Sequence, residues 1–156
     1  MSWDVLFVKF PNNINSIDEI PGDYNPGSLC TRQYYEEMIF NLFPNIDENN
    51  DRSWMILEDD SYSIEFSAGT GEMLDSLMLH IRGDEKALKV IKNICDFTNW
   101  KAFDTTTGDL IDFDNNPDEG FSQWRNFKNK VIADNTPLKG IKISTKNKNG
   151  DNFDNK

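Results

Sequence analysis

Residues 53–83 read SWMILEDDSYSIEFSAGTGEMLDSLMLHIRG. Within them Tyr62, Ile64 and Phe66 alternate with Ser61, Ser63, Glu65 and Ser67, and Leu77, Leu79 and Ile81 share one face of a later run. A period of two with one apolar side is the mark of a strand that buries one face and leaves the other to solvent. The stretch divides into three expected strands, about 53–58, 61–67 and 75–82. Asp59-Asp60 falls at the first junction, where a hairpin turn suits aspartate. AGTGE supplies the second, with glycines that reach positive φ. It is not a phosphate loop, because no helical pattern follows its glycines. Consecutive hairpins of this kind decide for an antiparallel sheet.

Helices are expected before and after this stretch in the chain, packed on one face of the sheet. Thr31 is a suitable N-cap for a helix to about Phe43, with Tyr34, Tyr35, Met38, Ile39, Leu42 and Phe43 on one face and Pro44 ending it. Asp84 caps a second, about 84–99, whose inner stripe is Ala87, Leu88, Ile91, Ile94, Cys95 and Thr98. A third spans about 119–133, with Phe121, Trp124, Phe127 and Val131 aligned. Ahead of them SWDVLFVKF (2–10) is apolar on both alternating faces, as a central strand is. Residues 11–30 form a loop with a short helical turn at SIDEIP. WKAFDT and GDLIDF read as two strands, or one bent strand, around a TTTGD turn. The order β-α-β-β-β-α-β(β)-α points to an α+β fold. We expect an antiparallel (mixed) sheet of about 5–6 strands with three helices, in a ferredoxin-like or related split arrangement.

The whole chain of 156 residues suits one domain, and 37% hydrophobic content with eleven Phe and four Trp supports a sizeable core. Residues 1–134 hold 11 Lys+Arg against 25 Asp+Glu, a net of −14, and residues 135–156 hold 5 against 2, a net of +3, which together give the chain's −11. The expected domain is therefore 1–134, followed by a basic polar tail, 135–156, with at most one short edge strand. A body this acidic argues against nucleic acid and anionic membrane as partners, since both select a basic surface. Cys30 and Cys95 lie far apart without ligand spacing, which suits buried free thiols in a reducing compartment. No apolar run approaches a membrane helix or a signal peptide, so a cytoplasmic location is expected.

Catalytic chemistry finds no complete set. His80, the single histidine, falls with Ser76, Met78 and Arg82 opposite the apolar face of its strand. No GxSxG or paired cysteine supplies a nucleophile, so a half-buried, hydrogen-bonded histidine is the expectation. Zinc lacks ligands. Asp112-x-Asp114-x-Asn116 starts like a calcium loop but continues with Pro117 for Gly and Gln123 for the bidentate Glu. No cofactor is expected.

What stands out is the acidic stretch DTTTGDLIDFDNNPDEG (104–120) with the Asp59-Asp60 turn. Asp59, Asp60, Asp104, Asp109, Asp112, Asp114, Asp118 and Glu119 are the candidate partner-binding residues. Carboxylates at strand ends and loops steer basic partners and speed association. Trp100, Phe103 and Phe113 flank the stretch and read as core, with docking anchors as the alternative.

The segments MSWDVLFVKFP, SIDEIP, SIEFSAG, LMLHIRG, GDLIDFD and GFSQWRNFKNKVI, which cover most of 1–133, together resemble a family of small acidic bacterial proteins. In size and charge that family is similar to the immunity proteins of polymorphic-toxin and contact-dependent inhibition systems. The resemblance implies a non-enzymatic inhibitor of a cognate basic toxin of nuclease type, acting by occlusion, and it carries no residue motif for the interface. Two other readings stand beside it. One is a small hydrolase or transferase using clustered carboxylates and a divalent ion, and the other is a regulatory module with a peptide or homodimer interface on an exposed strand edge.

Overall fold

The fold was analysed in a computed structural model, which describes residues 2–113 apart from 12, 50 and 112. The expected third helix, the basic tail, and the candidate residues Asp112, Asp114, Asp118 and Glu119 lie outside the described residues.

The chain forms an α+β fold around a five-stranded sheet. In order it builds β1 (Trp3–Phe7), β2 (Cys30–Thr31), α1 (Arg32–Leu42), β3 (Trp54–Glu58), β4 (Tyr62–Ser67), β5 (Met73–Leu74), β6 (Leu77–Gly83), α2 (Leu88–Thr98) and β7 (Ala102–Asp104). The large sheet runs β3-β4-β6-β1-β7, and every neighbouring pair in it is antiparallel. β2 and β5 pair separately as a short ribbon. Two helices stand among the described residues, where the sequence suggests three over the whole chain.

Alternation explains the layering. Trp3, Val5 and Phe7 of β1 sit opposite Ile81, Leu79 and Leu77 of β6, and Ile64 and Phe66 of β4 continue the rows to Leu57 and Met55 of β3. All ten side chains are buried. Tyr35, Met38 and Ile39 of α1 and Val90, Ile91 and Ile94 of α2 are also buried. Phe43, just past α1, meets the ring of Phe66 at 5.9 Å, so the α1 end packs on this sheet face. The opposite face carries Asp4, Glu65, His80, Arg82, Trp54 and Ile56, each half-buried or exposed.

The helix ends follow the expected chemistry. The Thr31 hydroxyl accepts from the Tyr34 amide at 3.1 Å, and Arg32 opens α1. Asp84 accepts from the Lys86 amide at 2.9 Å and starts a 3-10 turn, Glu85–Ala87, which runs into α2. Asn99 ends α2 in the left-handed region at φ 64°. The short turn in SIDEIP is a 3-10 turn, Ile17–Glu19, capped by Ser16.

Three expectations change. The strand expected at 75–82 is found as Leu77–Gly83, but ahead of it an unexpected two-residue strand, Met73–Leu74, pairs with Cys30–Thr31 in what the sequence reads as loops. The described residues of GDLIDF form no continuous strand: Asp109 and Leu110 make isolated bridges to Ser16 and Phe103, and the Ile111 amide bonds the Ala102 carbonyl. Nor are the two edges of the large sheet bare. Ile56 of β3 exchanges two backbone hydrogen bonds with Asp47, and the Trp54 amide bonds the Asp51 carbonyl. On β7 the Asp104 amide donates to the Asp109 carbonyl beside the Ile111–Ala102 bond. A strand-addition interface on these edges would have to displace those bonds.

Candidate functional site

The register gives the sheet two chemically different ends. At one end lie the β3–β4 turn, the β6–α2 junction, the start of β1 and the turn leaving β7. The residues there are Glu58, Asp59 and Asp60, then Asp84 and Glu85, then Asp4, then the Thr105–Gly108 turn with Asp109 behind it. Glu58, Asp59, Asp60, Glu85 and Asp109 are exposed, and Asp4 and Asp84 half-buried. The cations near this end include Arg82, whose guanidinium pairs with Glu65 at 3.2 Å, Lys86, and Lys89 on the first turn of α2.

Local geometry holds these acids in place. Gly83 closes β6 at φ 123°, and a Cβ there would overlap the Ser61 carbonyl oxygen and Tyr62 Cα. The Asp84 amide then bonds the same Ser61 carbonyl at 3.0 Å. The β3–β4 turn and the start of the α2 turn are thus tied together. Across the sheet, the Thr105 amide and hydroxyl both donate to the Asp4 carbonyl, at 3.2 and 3.0 Å.

Of the candidate residues described, Asp59, Asp60 and Asp109 stand at this end, but at opposite edges. With a strand spacing of about 4.8 Å, the three to four intervals between them span roughly 14–19 Å. They form a broad rim and not a converging pair. Asp104 has to be corrected. It pairs with Val5 and is 2% exposed, so its carboxylate is not presented to a partner. Its Oδ1 accepts from the Thr106 amide at 2.8 Å and shapes the turn. Phe103 is buried with its ring 3.8 Å from that of Phe10, and Trp100 belongs to the other end of the sheet. Phe113 lies beneath Lys92, whose Nζ is 5.9 Å from the ring centre.

Reading by segment missed Asp4, Asp84 and Glu85, because the sheet register alone brings them beside Asp59-Asp60. It also missed the surroundings of His80. The His80 Nδ1 lies 2.9 Å from Asp4 Oδ1, Ser2 Oγ donates to the same oxygen at 2.6 Å, and Trp54 stacks on the imidazole at 5.4 Å and 24°. An acid therefore stands behind the histidine, and an indole covers it. The serine bonds the acid and not the imidazole, so this is not a nucleophile–base relay. Among the described residues no group of three or more His, Cys, Asp or Glu side chains is gathered for a metal ion.

Cys30 and Cys95 are free and half-buried. Burial pushes Cys30 up to about 11, against a smaller opposing pull from Arg32, and Cys95 up to about 12, helped by the negative charge of Asp96. Neither is an activated nucleophile. No helix among the described residues is long and apolar enough to cross a membrane. Compared with family models, curated proteins and solved structures, the chain matches none.

Proposed function

We propose that the protein is a non-enzymatic inhibitor that binds a basic protein, and that its acidic end is the docking surface. The observation that carries this reading is the rim of exposed carboxylates formed by Glu58, Asp59, Asp60, Glu85 and Asp109 at one end of the sheet. Such a rim raises the local concentration of a cationic partner and accelerates encounter. A body of net −14 over residues 1–134 extends the same field beyond contact distance. Because the carboxylates are spread over roughly 14–19 Å, they suit the width of a protein's basic cleft better than a single small cation.

We read the strand order β4-β6-β1-β7, with a helix before β4 and another before β7, as support for a ferredoxin-like split arrangement to which β3 adds an edge strand. It supplies a rigid platform for occlusion. Together with the resemblance of its segments to small acidic bacterial proteins, this supports an immunity protein that neutralises a cognate toxin, of nuclease type, in the cytoplasm. The test is expression of the C-terminal domain of the protein encoded immediately upstream, alone and together with this chain. Arrest of growth by that domain and its relief on co-expression are the expected results. Arrest without relief contradicts the proposal.

A further inference from the structure

Between β4 and β6 the chain leaves the large sheet over residues 68–76. We propose that this excursion is a strap latched by Arg32, and that it opens as one unit while the sheet stays folded. Its regular structure is β5, which pairs with β2 in a ribbon of its own. Gly69, Thr70, Gly71, Glu72, Met73 and Asp75 are exposed, and Ala68 and Leu74 are the buried residues of the strap. Glycines at 69 and 71, the first held at φ 69°, lose more conformational freedom on ordering than any other residue would. Backbone pairing is brief. The Leu29 amide bonds the Leu74 carbonyl at 2.6 Å and the Arg32 amide bonds the Glu72 carbonyl at 2.7 Å.

One side chain holds the strap down. Arg32 Nε donates to the Gly71 carbonyl at 2.7 Å, and Nη2 donates to the Gly69 and Ala68 carbonyls at 2.7 and 3.1 Å. Three carbonyls of one loop thus share a single guanidinium, whose planar fork fixes the directions of its donors. A charged donor makes each of these bonds stronger than its neutral counterpart. Losing the fork releases all three carbonyls to water together and leaves the pairing of the large sheet untouched. Both ends of the strap are fixed on that sheet. The Ala68 amide bonds the Ser53 carbonyl at 2.9 Å, and Leu77 stands in register with Phe7. The motion is therefore confined between them. A segment with few buried side chains and exposed backbone bonds opens locally, ahead of the fold as a whole. Opening withdraws Leu74 from the core and parts it from Cys30, its partner across the ribbon.

The test is amide hydrogen exchange of the full chain, followed residue by residue by nuclear magnetic resonance. The amides at 29 and 32 should share one protection factor, about tenfold or more below those of Val5 and Leu79 in the sheet. Arg32→Lys keeps the charge and the stem but not the fork. It should lower protection at 29 and 32 by about a further tenfold and leave Val5 and Leu79 as they were. Arg52→Ala, which removes a different arginine bonded to α1 through Glu36, should leave 29 and 32 unchanged. Equal protection of strap and sheet amides in the native chain would overturn the proposal. So would Arg32→Lys acting on all four amides alike, or on none. The native-chain comparison decides even where a variant fails to fold, and no partner enters the measurement, so the outcome is independent of the inhibitor reading.

Discussion

Gly83 is the residue at which a single methyl group should do most damage. Its φ of 123° is closed to other L residues without strain, and a Cβ would meet the backbone of Ser61 and Tyr62. Gly83→Ala should cost about 2 kcal/mol or more, read as a lower urea midpoint. Removing the Thr31 hydroxyl should cost about 1 kcal/mol, since the Tyr34 amide loses its cap acceptor. The cysteines give a pH dependence. Both thiols are held neutral by burial, Cys30 to about 11 and Cys95 to about 12 against an ordinary 9.0. Their contribution to stability is full below about pH 9, where both states are protonated. It is lost as pH rises towards the folded values, because the unfolded chain ionises first. Denaturation midpoints should therefore fall between pH 9 and 11, and a disulfide reagent at pH 8 should label the native protein far more slowly than the urea-unfolded one. At this scale the sequence was readable where one residue type has one use, as at the caps Thr31 and Asp84. It misled at Asp104, whose burial comes from pairing with Val5 beneath the returning arm 109–111, a contact that no local pattern announces.

Among the elements, periodicity located β1, β3, β4, β6 and both described helices within a few residues, because each buries one face and keeps the pattern of its own geometry. It failed where partners are remote. Cys30–Thr31 is two residues long and exists through Met73–Leu74, and the arm after Gly108 pairs only at isolated positions. Energetics should divide along the same line. Phe66 lies on the central sheet face against Met55, Leu79 and Phe43, and Phe66→Ala should cost about 3–5 kcal/mol. Arg52 bonds Glu36 at 2.7 Å and Glu48 at 2.6 Å in an exposed setting, where solvent screens the pair, and Arg52→Ala should shift the urea midpoint far less than Phe66→Ala. Urea titrations of the two variants give the comparison directly.

At the scale of the molecule, the described sheet is polarised along its strands. One end gathers Asp4, Glu58, Asp59, Asp60, Asp84, Glu85 and Asp109, and the other holds a cleft lined by Val8, Phe10, Leu29 and Trp100 with two lysines. Acidity was legible from composition, and Asp59, Asp60 and Asp109 were legible as turn acids. Their assembly with Asp84 and Asp4 was not, because it depends on the β4-β6-β1-β7 order. The most direct measurement is the binding kinetics of the C-terminal domain of the protein encoded immediately upstream, the partner the proposal assigns, to the native chain and to a variant with Asp59→Asn, Asp60→Asn, Asp84→Asn and Asp109→Asn. Asparagine preserves the Asp84 cap while removing its charge. The expected result is association slowed by about tenfold or more and a flatter dependence on salt, with Asp104→Asn close to the native chain. Unchanged association and salt dependence in the fourfold variant would contradict the acidic end as the docking surface.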